Sequence, residues 1–375
     1  MTTALSKVGV GVIGSGFVAD LHLSSFARNS NATVLAVAGR TAESAARLAA
    51  EHGIADSYGD YRRLLDRDDI DMVCVGTPND THRDIVLAAA QAGKHIVCEK
   101  PLARTLAEAD EMIAATDNAD VKLMYAELIC FAPKYVRAKE LIDEGAFGRV
   151  FQIKHGEQHS GPHSDWFWQG ERSGGGVMMD MGCHGVEVIR WMYDKPAVES
   201  VTAELGTFMH ANRTDLDDHA LVTIRFAGNR LGVIETSWAK PGGMEDRIEI
   251  IGDGGVAYVD LLRGSSISAY SEAGYGYAVE KASQTSGWTF AMFEEYWNYG
   301  IPQEMQHFAD CVLNDSEAIE TGADGRADLE IIYAAYLSAG RGERVHLPLE
   351  LSAEDAAKSP YLLWQEGISQ VQSTA

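Results

Sequence analysis

The chain has 375 residues, 46% of them apolar, which is length and core material for two domains. A formal net charge of −24 works against nucleic acid and anionic membrane surfaces as partners. Five cysteines, Cys74, Cys98, Cys130, Cys183 and Cys311, stand apart with no CxxC pair, so reduced thiols in a cytoplasmic protein are expected rather than a disulfide framework.

The first apolar stretch, VGVGVIGSGFVA, is too rich in glycine for a signal peptide, and no apolar run reaches the roughly 20 residues that span a bilayer. It reads as a strand running into Gly14-Ser15-Gly16-Phe17-Val18-Ala19 and then a helix. That is G-x-G-x-x-A in the strand-to-helix context that suits a dinucleotide. The first glycine permits the turn and the second lets a pyrophosphate approach the backbone. A small third residue lets helix and strand pack, with the helix N-terminus facing the phosphates.

Alternation continues. TVLAVAG (33–39), DMVCVGT (71–77), HIVCEKP (95–101) and VKLMYAE (121–127) read as strands, and AESAARLAAEHG, THRDIVLAAAQAG and LAEADEMIAATDN as the helices between them. Strands alternating with helices predict a doubly wound parallel sheet, hence an α/β Rossmann domain. The second strand ends in Gly39-Arg40-Thr41 instead of the acid that holds an NAD ribose. Arg40 can stack on adenine or accept the extra phosphate of NADP, whereas the nearby Glu43 opposes a phosphate. NAD is the expected cofactor, with NADP as the alternative.

From here the sequence resembles a known family, the Gfo/Idh/MocA oxidoreductases (glucose–fructose oxidoreductase, inositol dehydrogenase and relatives). The resemblance rests on GVIGSGFVADLH, TPNDTH (77–82), CEKPLA (98–103), GGGVMMDMGCHG (174–185), DDHALVTIRF (217–226) and EMQHFADCV (304–312), in order along nearly the whole chain. It implies a Rossmann domain over 1–128 and, over 129–375, a C-terminal α/β domain on a large, mostly antiparallel open sheet. Substrate is expected between the two, and the open sheet face often forms homo-dimers or homo-tetramers. RVFQIKHGE, VESVTAELGTF, HALVTIRFA, LGVIETSWA, RIEIIGD and GVAYVDLL are strand-like runs that agree with this.

The resemblance further implies a catalytic set of Lys100, Asp180 and His184. It puts Gly14, Gly16, Phe17, Val18, Arg40, Thr77, Pro78, Asn79, His82, Glu99 and Lys100 beside the cofactor. The chemistry suits these types. A histidine takes the hydroxyl proton as hydride leaves, a lysine steadies developing alkoxide charge, and an aspartate orients the base or holds a neighbouring hydroxyl. Lys100–Pro101 is a candidate cis bond. If the segment after the triple glycine is one helix, Asp180 and His184 are i and i+4 and share a face, and the glycines let the helix start approach a ligand.

FQIKHGEQHSGPHSDWFWQGERSGGG (151–176) is particular to this chain. A continued strand puts His155, Glu157 and His159 on one face, and His163, Asp165, Trp166 and Trp168 follow in a Gly-Pro loop. Hydroxyl partners and an indole face suit a sugar, so His155, His159, His163, Trp166, Arg172 and Asp180 are the candidate substrate contacts. A zinc set of His155, His159 and His163 has the spacing of one helix face, but Gly156, Gly161 and Pro162 break such a helix, and no metal is expected. Where the family often has arginines, this chain has Cys130 and Phe167. Arg172, His159 and His163 can then receive an anionic group on the sugar.

The expected activity is NAD(P)-dependent oxidation of a secondary hydroxyl, at C3, of a pyranose or pyranoside. The alternative is an NAD-dependent oxidoreductive glycosidase, in which transient C3 oxidation, elimination, water addition and re-reduction release an aglycone, as from a sulfosugar glycoside. In the tail, Tyr361, Leu362, Leu363 and Trp364 are expected to cover a core or a subunit face.

Overall fold

A computed structural model describes residues 7–242, 244–262, 269–271, 287–289 and 295–374. The chain divides into two units, Met1–Phe131 with Gly300–Ala327, and Ala132–Tyr299 with Asp328–Ala375.

In the first unit, β1 (Val8–Ile13), β2 (Ala32–Ala38), β3 (Asp56–Tyr58), β4 (Met72–Val75), β5 (His95–Glu99) and β6 (Leu123–Ala126) form a parallel sheet of order β3-β2-β1-β4-β5-β6. Helices α1 (Phe17–Phe26), α2 (Ala42–Glu51), α3 (Tyr61–Leu65), α4 (His82–Gln91) and α5 (Leu106–Ala119) connect the strands. Every residue of β1, β4 and β6 is buried, which is why these strands read as apolar runs without alternation. Thr41 and Thr105 cap α2 and α5, each accepting at 3.1 Å the N–H three residues on; such caps stabilise by about 1 kcal/mol each. β3 and α3 were not expected. β3 is three residues long, and its pairing with β2, not local pattern, makes it a strand.

The second unit begins with α6 (Pro133–Asp143) and β7 (Val150–Gln158). Three short helices follow, α7 (Gly170–Ser173), α8 (Val177–Asp180) and α9 (Gly182–Met192). Then come β8 (Val198–Gly206), β9 (His219–Phe226), β10 (Arg230–Ser237), β11 (Glu245–Gly252) and β12 (Val256–Asp260). A short pair, β13 (Ala269–Ser271) with β14 (Gly287–Thr289), is antiparallel. The main sheet has seven strands, β15 (Val345–His346) closing one edge, in the order β12-β11-β7-β10-β9-β8-β15. All its pairs are antiparallel except β7 with β10. That pair follows from the crossover. After β7 the chain runs through α9, which packs on β7 and β10, enters at β8 and meanders back through β9 to β10. The other side of the sheet leaves Leu221, Val256 and Tyr258 exposed by 46%, 53% and 76%.

After α10 (Glu295–Asn298), the chain returns to the first unit with α11 (Ile301–Leu313). This helix buries Ile301, Met305, Phe308 and Val312 and packs on α1 and β1. The sequence reading assigned everything after residue 128 to one domain, whereas contacts group Gly300–Ala327 with the Rossmann unit. Next come α12 (Gly322–Arg341), α13 (Ala353–Ala356) and α14 (Pro360–Thr374). In α14, Tyr361, Leu363 and Trp364 are buried. Trp364 lies against Tyr336 at 6.2 Å between ring centroids, so this part of the tail covers the unit's own core.

Candidate active site

In the first unit the glycine loop joins β1 to α1. Gly14 has φ 138°, and a Cβ there would stand 2.2 Å from the Gly76 carbonyl oxygen, so only glycine fits the turn. Gly16 differs. It is the N-cap of α1, no side chain caps the helix there, and an added Cβ meets no atom within 4 Å. Packing does not demand this glycine. The space it leaves lies at a helix N-terminus with uncapped N–H groups, which fits the pyrophosphate of a dinucleotide. Gly16→Ala is therefore expected to change stability by less than ~0.5 kcal/mol yet to weaken NAD binding about tenfold or more, read by thermal melting and by cofactor titration.

Phe17 and Arg40 are exposed and Val18 is half-buried. Thr77 and Pro78 are half-buried and Asn79 is buried. His82 is fully enclosed, with Nε2 2.9 Å from the Thr77 carbonyl and Nδ1 3.1 Å from that of Pro101. Burial pushes its pKa down, against the opposing pull of these carbonyls; a neutral ring has one N–H and donates to only one of the two at a time. Lys100 follows β5, half-buried, before a cis Lys100–Pro101 bond. Glu99 beside it is buried. Its Oε1 lies 2.9 Å from His22 Nε2, and its Oε2 accepts the Lys100 N–H at 3.2 Å. Burial opposes the Glu99 charge, but His22 and Lys100 outweigh it and hold the pKa below the ordinary range. Glu304 of α11 goes the other way. Burial, then the charges of Glu99 and Glu127, push its pKa well up. The two neighbouring carboxyls are thus shifted in opposite directions.

In the second unit Asp180 and His184 are both buried. They do not lie on one continuous helix. α8 ends at Asp180, Met181 is a turn at φ −114°, and α9 starts at Gly182, so the single helix expected across them is interrupted by one residue. Asp180 Oδ2 accepts the Trp238 Nε1–H at 3.2 Å, and Trp238 is itself fully buried.

The start of α8 is held by a residue that spacing did not single out. The Gly176 and Met178 N–H groups donate to the two carboxylate oxygens of Asp217 at 3.0 and 2.8 Å, and the Val177 N–H donates to its carbonyl at 2.9 Å. Tyr336 O–H donates to the same carboxylate at 2.5 Å. A Cβ on Gly176 would stand 2.0 Å from the Asp217 carbonyl oxygen, and one on Gly175 2.4 Å from the Tyr336 hydroxyl. The expectation that these glycines admit a ligand is corrected here, because they admit Asp217 and Tyr336.

Of the candidate substrate residues, His155 has no exposed side-chain surface and lies under α9. His159 follows β7, is buried, and accepts the Gly161 N–H on Nδ1 at 3.0 Å. His163 is exposed and meets the Phe167 ring edge-on at 5.7 Å. Trp166 stacks on Phe167 at 3.8 Å. Arg172 in α7 is half-buried. Trp168 is a core residue, in edge contact with Trp238 at 5.1 Å and beneath the Arg213 guanidinium at 4.3 Å.

Residues 8–127 match the family model described as "Oxidoreductase family, NAD-binding Rossmann fold", and residues 135–258 match the GFO/IDH/MocA C-terminal domain. The crystal structure of GenD2 from gentamicin A biosynthesis, in complex with NAD, aligns at a TM-score of 0.86 and 32% identity over 93% of this chain and 98% of that one. The chain belongs to the Gfo/Idh/MocA oxidoreductases. Myo-inositol 2-dehydrogenase of Thermotoga maritima is 27% identical over 87% of this chain and 94% of its own length. Levoglucosan dehydrogenase of Pseudarthrobacter phenanthrenivorans is 31% identical over 62% and 68%. This Gfo/Idh/MocA member is thus an NAD-dependent oxidoreductase of a family that includes sugar and polyol dehydrogenases.

Within this family member, α9 is pressed onto the sheet at Gly185, next to His184. A Cβ there would lie 2.9 Å from both His155 Nδ1 and Ile234 Cγ2. Gly185→Ala should cost about 1–3 kcal/mol by overpacking, seen in denaturant unfolding, and should lower kcat because His184 moves with the helix. The supports missed by sequence reading are His22, Glu304, Asp217, Trp238 and Tyr336. His22, Glu304 and Asp217 stand inside the quoted stretches GVIGSGFVADLH, EMQHFADCV and DDHALVTIRF, but nothing local assigns them these partners.

Proposed function

We propose that this enzyme oxidises a secondary hydroxyl of a pyranose or pyranoside, at C3, with NAD accepting the hydride from that carbon. His184 takes the hydroxyl proton. Lys100 places its ammonium charge on the oxygen as it becomes an alkoxide. Asp180, its Oδ2 fixed by Trp238, orients base and substrate. What carries the reading is the co-occurrence of Lys100 just after β5 with a buried Asp180–His184 segment whose helix start is pinned by Asp217. Similarity to inositol and levoglucosan dehydrogenases supports a polyhydroxylated substrate. The open sheet face bearing Leu221, Val256 and Tyr258 supports a second copy of the chain as partner.

The test is incubation with NAD, neutral pyranoses, acidic pyranoses and aryl glycosides. Stoichiometric NADH formation is expected. Aglycone release without net NADH would transfer the reading to an oxidoreductive glycosidase, with His159 or His163 protonating the leaving oxygen. Neither product from enzyme that binds NAD would end both. If the sugar is anionic, Arg172→Ala should raise KM for acidic substrates about tenfold, the scale of one charge-assisted hydrogen bond, and leave KM for neutral ones unchanged.

A further inference from the structure

β7 lies between β11 and β10, and its register sets Asp246, Glu157 and Thr236 side by side across three strands. Registered residues share a sheet face, and His155, two residues before Glu157, shares it too. α9 covers this face at Gly185. His155, Glu157 and Asp246 are all buried, and their ligand-type atoms lie within 4.8 Å of one another.

Buried polar groups normally have hydrogen-bond partners. Here neither ring nitrogen of His155 has one, and Asp246 Oδ2 and Thr236 Oγ1 also lack one. The His155 side chain is 0% exposed, as is that of Asp246. Their facing atoms, Nε2 and Oδ1, stand 3.4 Å apart without hydrogen-bond geometry. Two ligands on one tetrahedral ion, with bonds of about 2.1 Å, are separated by about 3.4 Å. A neutral imidazole with two carboxylates carries two negative charges, which a divalent cation balances where water is excluded. Asp246 Oδ1 also accepts the Tyr135 O–H at 2.6 Å, the kind of outer hydrogen bond that orients a ligating carboxylate.

We propose that His155, Glu157 and Asp246, with Thr236 as a fourth oxygen, form a closed structural site for one divalent transition ion. An imidazole donor in a four-coordinate set with carboxylates favours zinc over calcium, magnesium or manganese. The site differs from the His155, His159 and His163 set that spacing alone brought up. It draws on two further strands and keeps only His155. It sits under the helix that carries His184 and takes no part in hydride transfer, so its test does not depend on the substrate.

The experiment uses untagged full-length enzyme expressed with added zinc and manganese, passed through a chelating column and analysed for metals. About one equivalent of zinc per chain is expected, with a Tm that falls on prolonged chelation and recovers on adding the ion back. His155→Gln and Asp246→Asn should each bring metal content close to zero while NAD still binds the first unit. Tyr135→Phe should retain the ion with weakened affinity. If the first two variants fail to fold, cobalt substituted into the native protein decides. A four-coordinate visible absorption band supports the site, and its absence overturns it. Native protein without bound metal overturns the proposal, as does metal retained by folded His155→Gln and Asp246→Asn, which would mark surface ions only.

Discussion

His184→Asn should lower kcat by ~10²–10⁴-fold, the usual contribution of a positioned general base, with NAD affinity within twofold of the parent. The substitution suits the site. His184 is buried in the first turn of α9, and asparagine preserves a polar side chain there without a group that accepts the hydroxyl proton. Lys100→Met is the companion experiment. It removes the charge that steadies the alkoxide, for a loss of ~10²–10³-fold, and keeps the apolar stem. The two differ in pH dependence. The limb of the kcat/KM profile that reports an enzyme base should vanish in His184→Asn and survive in Lys100→Met. If both residues act on one hydroxyl, the double variant should lose far less than the product of the single losses. Losses that multiply would place the two groups in separate steps, and a His184→Asn enzyme with parental kcat would remove the histidine from the chemistry.

The Rossmann strands were legible because burial on both faces writes itself into the sequence as apolar runs, and the cofactor loop because its glycines and helix start are neighbours in the chain. The second sheet was legible strand by strand, from the alternation visible in β9. What failed did so at long range. α8 and α9 read as one helix because VMMDMGCHGVEVI is apolar and periodic. The break at Met181 accompanies an Asp217 cap drawn from the far side of β8. α11 is plainly amphipathic in sequence, but nothing local says that its apolar face returns to α1 and β1. The same holds behind Lys100. Glu99 was seen in its motif, whereas His22, whose hydrogen bond pulls the Glu99 pKa down, and Glu304, whose pKa Glu99 helps to push up, are distant from it in the chain. The His155 cluster is the extreme case, since two of its ligands meet only through the register of β7 with β11.

Asp217→Asn should destabilise the enzyme by about 1–3 kcal/mol near pH 7, because an amide nitrogen would face an N–H that now finds a carboxylate oxygen, leaving a buried donor unmatched. The effect should depend on pH in a defined direction. Burial raises the Asp217 pKa to about 6, against the opposing pull of Tyr336, Met178 and Gly176. A folded-state pKa above the ordinary aspartate value of 3.8 means that the native state binds this proton more tightly than the unfolded chain. The linked stability is full below the unfolded pKa and is lost as pH rises through about 6. Asparagine has no such titration, so the gap between parent and variant should shrink by up to ~3 kcal/mol from pH about 4 to pH about 7. Activity supplies the second readout. Asp217 touches neither substrate nor cofactor in this reading; it acts by fixing α8, at whose end Asp180 sits. The variant should therefore lose kcat while its KM for NAD is unchanged, and Asp217→Glu, which keeps the charge but lengthens the reach, should recover little of it because Gly176 already touches the Asp217 backbone. A stability gap that is flat with pH would show that the three carboxylate donors hold Asp217 ionised throughout, and an unaltered kcat would detach this cap from Asp180.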